Sequence, residues 1–222
     1  VLASAVPKDA YLAYQTLNQL VVSGDVNVIM GGDSDFNVVE YNPREAKVNV
    51  SDTGLIKVES RSRKSDATVV IRSNNRFKDL FMLLVRDQSS LIAKDVEADS
   101  LAVDTESSGN IMMEGVMNLN KLKVSSDSNV EIYWLDSKVL DVVASKGEVV
   151  LAGRTEFMSS RVTGSSKLDS SGLISKRAWV AALDSAKLSV FPVKELFAYS
   201  KDNAVIDVKQ KPHMFVPLNQ AP

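Results

Sequence analysis

Cysteine is absent from the 222 residues, and histidine occurs once, at His213. No disulfide framework, thiolate nucleophile or cysteine-bound zinc can therefore form, and a multi-histidine zinc site is excluded by count. A Ser-His-Asp triad would have to use His213, which follows Pro212 close to the last residue, and no Gly-x-Ser-x-Gly elbow accompanies it. His213 reads as a surface residue. No run approaches the ~20 apolar residues of a membrane-spanning helix. The formal net charge is -2, so there is no basic surplus to draw the chain to nucleic acid or anionic lipid.

What is present is ordinary for a soluble globular protein: 45% apolar and 24% charged residues, in a chain long enough to bury a large core. The lack of cysteine suits an extracytoplasmic bacterial protein. The sequence starts at Val1, and Ala3-Ser4-Ala5 has the small-x-small form of a signal-peptidase site. This marks a processed or truncated chain whose residues 1–16 form a loosely docked leader.

From Leu17 the pattern becomes β. Leu20-Val21-Val22, Ser23-Gly24-Asp25 and Val26-x-Val28-x-Met30 read as two strands around a tight turn. Phe36-x-Val38, Val48-x-Val50, Ile56-x-Val58 and Val69-x-Ile71 continue the alternation, with turns at Asn42-Pro43 and Asp52-Thr53-Gly54. Lys78 to Val85 fits a buried strand better than a capped helix. Residues 17–89 thus form an N-terminal antiparallel or mixed β section.

Residues 90–213 change character. Leu101-x-Val103, Leu122-x-Val124, Leu140-x-Val142, Val162 and Val180-x-Ala182 open successive units whose starts advance by 21, 18, 22 and 18 residues. A period near 20 residues marks stacked supersecondary units that share one continuous core. Hairpin signals are sparse here, because each strand pairs with its counterpart one turn away. The expected fold is all-β: a parallel β-helix-like coil after the N-terminal section, with a tail at 214–222.

Leu20-Val-Val-Ser-Gly-Asp-Val-Asn-Val-Ile-Met-Gly-Gly resembles the opening of the putative auto-transporter adhesin head, or GIN, domain family. Thr105-Glu-Ser-Ser-Gly-Asn-Ile, Val124-Ser-Ser-Asp-Ser-Asn-Val-Glu-Ile and Val162-Thr-Gly-Ser-Ser-Lys-Leu resemble its recurrent Ser-Gly turns, and Val205-Ile-Asp-Val-Lys-Gln-Lys-Pro its closing strand. The resemblance spans residues 17 to 213. Several family glycines are here Asp127, Asn129, Lys146 or Ala186; Asn and Asp tolerate a left-handed turn, whereas Lys and Ala do so less well. The resemblance implies a right-handed β-helix, bacterial export and a periplasmic or surface location, and it carries no catalytic residue across.

The candidate site residues are few. Five residues after their unit starts stand Glu106 and Asp127, which would stack as a carboxylate pair able to bind Ca²⁺ or shift a pKa. Without a continuing ligand ladder they read as a solvated turn. Arg61-Ser62-Arg63-Lys64, followed by Arg72, Arg76 and Lys78, is the one basic cluster, and alternation puts Arg61 and Arg63 on one face. With Val130, Ile132 and Trp134 inward, Tyr133 faces out; with Val180 and Ala182 inward, so does Trp179. Exposed aromatics suit stacking on sugar. Phe191, Phe197 and Tyr199 are expected to pack in the last coil.

The leading reading is an exported, non-enzymatic adhesion or binding module for carbohydrate or another envelope component, with no cofactor. A polysaccharide lyase or glycosidase would have to draw on Glu106, Asp127 and Lys123. An envelope scaffold, its coil ends capped by the N-terminal section and the Pro-rich tail, is the third.

Overall fold

The computed structural model describes residues 9–62 and 66–219. Ala3-Ser4-Ala5, Arg63 and Lys64 lie outside the described residues. Every regular element is a β-strand, wound into a β-solenoid of about seven turns. No helix among the described residues is long and apolar enough to cross a membrane.

The coils begin earlier than the repeat in the sequence. β1 (Ala10–Ala13) precedes β2 (Gln19–Ser23) and β3 (Val26–Gly31), which make one coil. The chain then leaves through β4 (Val38–Tyr41) and β5 (Ala46–Val50) and lays β6 (Leu55–Ser60) and β7 (Ala67–Arg72) parallel to one side of that coil. It crosses back to place β8 (Met82–Asp87) and β9 (Ser90–Val96) parallel to the other side. β5 pairs antiparallel with β6, β4 antiparallel with β7, and β1 antiparallel with β4, so antiparallel strands cover this end of the solenoid. The N-terminal section is therefore mixed, parallel within and antiparallel at its edge.

Two expectations change here. Residues 10–13 form β1 rather than a loose leader, and Tyr14 and Leu17 beyond it are buried. The Tyr14 hydroxyl donates to the Arg72 carbonyl at 2.5 Å, and burial raises its pKa. The buried run at 78–85 is a strand, but it starts at Met82, because Asn75 to Asp79 are spent in a turn.

Beyond β9 the coils regularise. β10 (Leu101–Ser107), β11 (Ile111–Met117) and β12 (Leu119–Val124) lead into four long strands that bend around whole coils: β13 (Asn129–Ala144), β14 (Glu148–Val162), β15 (Lys167–Ala182) and β16 (Lys187–Ser200). β17 (Val205–Val208) and β18 (Met214–Pro217) close the stack against the two halves of β16. Within β13 the inward residues are Val130 and Ile132, then Leu135 and Ser137, then Leu140, Val142 and Ala144. Two consecutive residues miss the core at 133–134 and again at 138–139, which marks two corners and three faces per coil.

The register shows the true repeat. Val103 lies beside Leu122, Leu122 beside Val142, Val142 beside Ser160, Ser160 beside Val180 and Val180 beside Ala198. The apolar pattern of the sequence misses this column because Ser160 sits in it, buried. Aliphatic burial carries the rest of the core, each fully buried Leu or Val contributing roughly 1.5–3 kcal/mol.

Corners and turns carry the special chemistry. Buried serines cross-link coils at the turns: Ser89 Oγ donates to Gly24 O at 2.9 Å, Ser107 Oγ to Ser89 O at 2.5 Å and Ser166 Oγ to Ala144 O at 3.1 Å. The non-glycine residues in left-handed conformations include Asp87, Asp95, Asp184 and Asp202, but neither Asp127 nor Asn129. At the corner after the first face, Gly115 and Gly153 have φ of 153° and 128°. A Cβ on Gly153 would lie 2.2 Å from Leu135 O, and one on Gly115 would lie 2.0 Å from Val96 O. Backbone meets backbone too closely there for any side chain. Gly153→Ala is expected to cost at least about 1–3 kcal/mol from backbone strain, read as a lower Tm by circular dichroism; an unchanged Tm would contradict this packing.

Candidate functional site

The third face of the coil carries an aromatic stripe on its outside. Trp179 stands in register with Ser159 and Phe197, and Phe157 is two residues from Ser159 on the same face. The Trp179 ring centroid lies 6.1 Å from that of Phe157 and 5.3 Å from that of Phe197, the rings edge-on or tilted. Trp179 keeps 42% of its surface exposed. Val139, in register with Phe157, and Met214, next to Glu195, extend the apolar surface over five coils. The Arg177–Glu195 ion pair, at 3.1 Å, runs beside it.

Trp179 is thus outward, as alternation required, while Phe197 joins it outside the core instead of packing within the coil. Phe191 and Tyr199 are likewise half-buried on the outer side of β16. Phe157 was the residue that sequence reasoning missed. Its 22-residue offset from Trp179 is one coil plus two, so it shares the face without sharing the register.

Trp134 departs from its expected inward place. The β13–β14 register shifts between Ile132 and Leu135, so Leu135 takes the inward position and Trp134 is 57% exposed at the first corner. Tyr133 is only half-exposed. Its hydroxyl donates to Glu131 Oε2 at 2.7 Å, which holds its pKa up, and its ring lies 6.0 Å from that of Trp134. Tyr133 and Trp179 therefore stand on different faces, two coils apart, and form no joint site. Beside Trp134 a cleft of about 480 Å³ opens toward Arg76, Lys94, Asp95, Glu97 and Glu114.

The basic cluster is dispersed. Arg61 lies in a bend past the end of β6, where alternation no longer applies, and its Nε donates to Pro43 O at 2.5 Å. It borders a cleft of about 940 Å³ with Glu59, Ser60, Asp87 and Gln88. Arg72 is paired with Glu40 at 3.0 Å, and Arg76 reaches Asp33, Asp95 and Glu97.

The carboxylate pair does not assemble either. Glu106 is in register with Arg86 and pairs with it at 3.5 Å. Its carbonyl accepts a bond from Ser126 Oγ, one residue short of Asp127, which lies in the turn beyond. The cause is the slipped repeat: Leu122 matches Val103, not Leu101. Lys123 is in register with Asp104, so the set available to a lyase is not brought together. Among the described residues no group of three His, Asp or Glu could hold a metal ion.

Asp104 is the perturbed carboxylate of this face. Desolvation raises its pKa against the attraction of Lys123, and its Oδ1 is buried without a hydrogen-bond partner. A raised folded-state pKa disfavours the ionised form, so this group's contribution to stability is best below the carboxylate range and is lost as pH rises through the folded pKa. Asp104→Asn is expected to raise Tm at neutral pH and to leave it unchanged near about pH 3; a lowered Tm at neutral pH would show that the Lys123 contact dominates instead.

The family described as "Putative auto-transporter adhesin, head GIN domain" matches residues 95–212. No curated protein matches the chain. Solved structures share the fold across nearly the whole length. A putative adhesin from Parabacteroides distasonis has a TM-score of 0.72 at 13% identity, over 95% of this chain and 96% of that one. A putative adhesin from Parabacteroides merdae gives 0.71 at 13% identity, over 96% of each. A putative lipid binding protein from Parabacteroides distasonis gives 0.68 at 15% identity, over 95% of this chain and 94% of that one.

Proposed function

For this chain, which belongs to the putative auto-transporter adhesin head, or GIN, domain family, we propose the role of an exported, non-enzymatic binding module that holds a carbohydrate polymer of the cell envelope against its outer face. The aromatic stripe of Phe157, Trp179 and Phe197 is the observation that supports the reading. Successive coils repeat at the spacing of parallel strands, about 4.8 Å, so a polymer lying along the solenoid axis meets one ring after another. An aromatic face presents a flat apolar surface to the C–H face of a sugar, and the adjoining Arg177–Glu195 pair offers hydrogen bonds at the rim. Such a surface holds its ligand by area and repetition rather than by enclosure, which suits adhesion. The adhesin names of the fold's relatives agree with a binding role and a location outside the cytoplasm.

The test is a polysaccharide and glycan array probed with the chain and with Trp179→Ala, Phe197→Ala and Tyr133→Ala. Saturable binding weakened roughly tenfold or more by Trp179→Ala, the loss of about 1.4 kcal/mol or more expected of a central aromatic anchor, and also reduced by Phe197→Ala, is the expected outcome. Tyr133→Ala should leave polymer binding intact, since Tyr133 is on another face. Binding that survives Trp179→Ala would remove the stripe from the account, and no binding to any glycan would turn the reading toward a protein partner.

A further inference from the structure

We infer that the cleft at the first corner, beside Trp134, is a separate binding site for a single neutral pyranose unit. It does not rest on the stripe, which is on another face. The cleft of about 480 Å³ falls within the roughly 300–1,000 Å³ range of small-molecule sites. Gly115 lines it, at a position where backbone contact with Val96 forbids any side chain, so the hollow is a fixed consequence of how the coils stack. Trp134 also lines it, more than half exposed, with the Tyr133 ring beside it and the Tyr133 hydroxyl anchored on Glu131. Tyr133 is thereby a positioning residue, fixing the indole without needing to touch ligand.

The polar lining decides the ligand class. Arg76 lies 4.0, 3.8 and 3.7 Å from carboxylate oxygens of Asp33, Asp95 and Glu97. Each distance exceeds the 2.7–3.2 Å of a direct N–H···O bond, so the ion pairs hold the guanidinium in place without consuming its donors. Lys94 and Glu114 line the same cleft and make no ion pair among the described residues. Two cations and three carboxylates line the space, with no dominant charge to select an ion, and no three carboxylates among the described residues meet at a point a metal could occupy. Mixed donors and acceptors facing an exposed indole match a pyranose, whose hydroxyls both donate and accept and whose C–H face is apolar.

The chain contains only two tryptophans, one at each proposed surface. Labelling with 5-fluorotryptophan therefore gives two ¹⁹F resonances, assigned by Trp179→Phe. The probes are free glucose, galactose, mannose, fucose and N-acetylglucosamine, titrated separately. The Trp134 resonance is expected to shift saturably with at least one sugar, equally in the parent chain and in Trp179→Phe. Glu114→Gln should weaken that binding about tenfold, the loss of one charge-assisted hydrogen bond. A Trp134 resonance unmoved by all five sugars overturns the proposal even if Trp179 responds, an outcome that would support the stripe alone. A Trp134 shift indifferent to Glu114→Gln overturns the assigned polar lining.

Discussion

Every feature of this molecule depends on parallel, in-register hydrogen bonding between one coil and the next. The ladder continues even where strands end: Ser125 N bonds Thr105 O at 3.1 Å, Ser145 N bonds Val124 O at 3.0 Å, Thr163 N bonds Ala144 O at 2.9 Å, Leu183 N bonds Val162 O at 3.0 Å and Lys201 N bonds Ala182 O at 3.1 Å. A coil that must keep this pairing has little freedom at its corners. Where two backbones come within reach of each other, only glycine fits; at the turns, buried serines satisfy carbonyls that no strand reaches. The inward columns then need only be apolar and of suitable size, and one of them tolerates Ser160.

The same constraint shapes the outside. In a solenoid the outward side chains of successive coils stand side by side, so a chemical type repeated at coil spacing becomes a continuous surface. Phe157, Trp179 and Phe197 become a stripe this way. The corners act differently: a glycine there leaves a hollow, and the register shift at residues 133–134 turns Trp134 out beside it. Flat faces thus provide extended surfaces and corners provide enclosed ones, a division that follows from backbone geometry before any ligand is considered.

Much of the fold was legible in the sequence, because strand alternation and a period near 20 residues are direct consequences of a stacked β-core. The exact register was not. Leu101 and Leu122 look equivalent as the apolar openings of similar units, but a shift between Leu101 and Ala102 moves Val103 opposite Leu122. That slip of two residues is enough to separate Glu106 from Asp127. Parity gave the outward direction of Trp179, which lies in the straight part of a strand. It failed at Trp134, because a corner places two non-core residues in succession and alternation carries no information across it. Phe157 and Trp179 share a face only through the pairing of their strands, which no local pattern displays.

Since the chain lacks cysteine, pairs of introduced cysteines can test the register directly. Asp141 and Ser159 are in-register neighbours on the outer third face, and Asp141 and Arg161 are offset by two residues on that face. Adjacent residues satisfy the Cα separation of about 4.4–6.8 Å that a disulfide requires, whereas the diagonal neighbours stand roughly 7–8 Å apart. The Asp141→Cys/Ser159→Cys chain should oxidise to an intramolecular disulfide under mild conditions, and the Asp141→Cys/Arg161→Cys chain should remain reduced. The reverse result would show that the coils pair in another register and would dissolve both the aromatic stripe and the corner cleft.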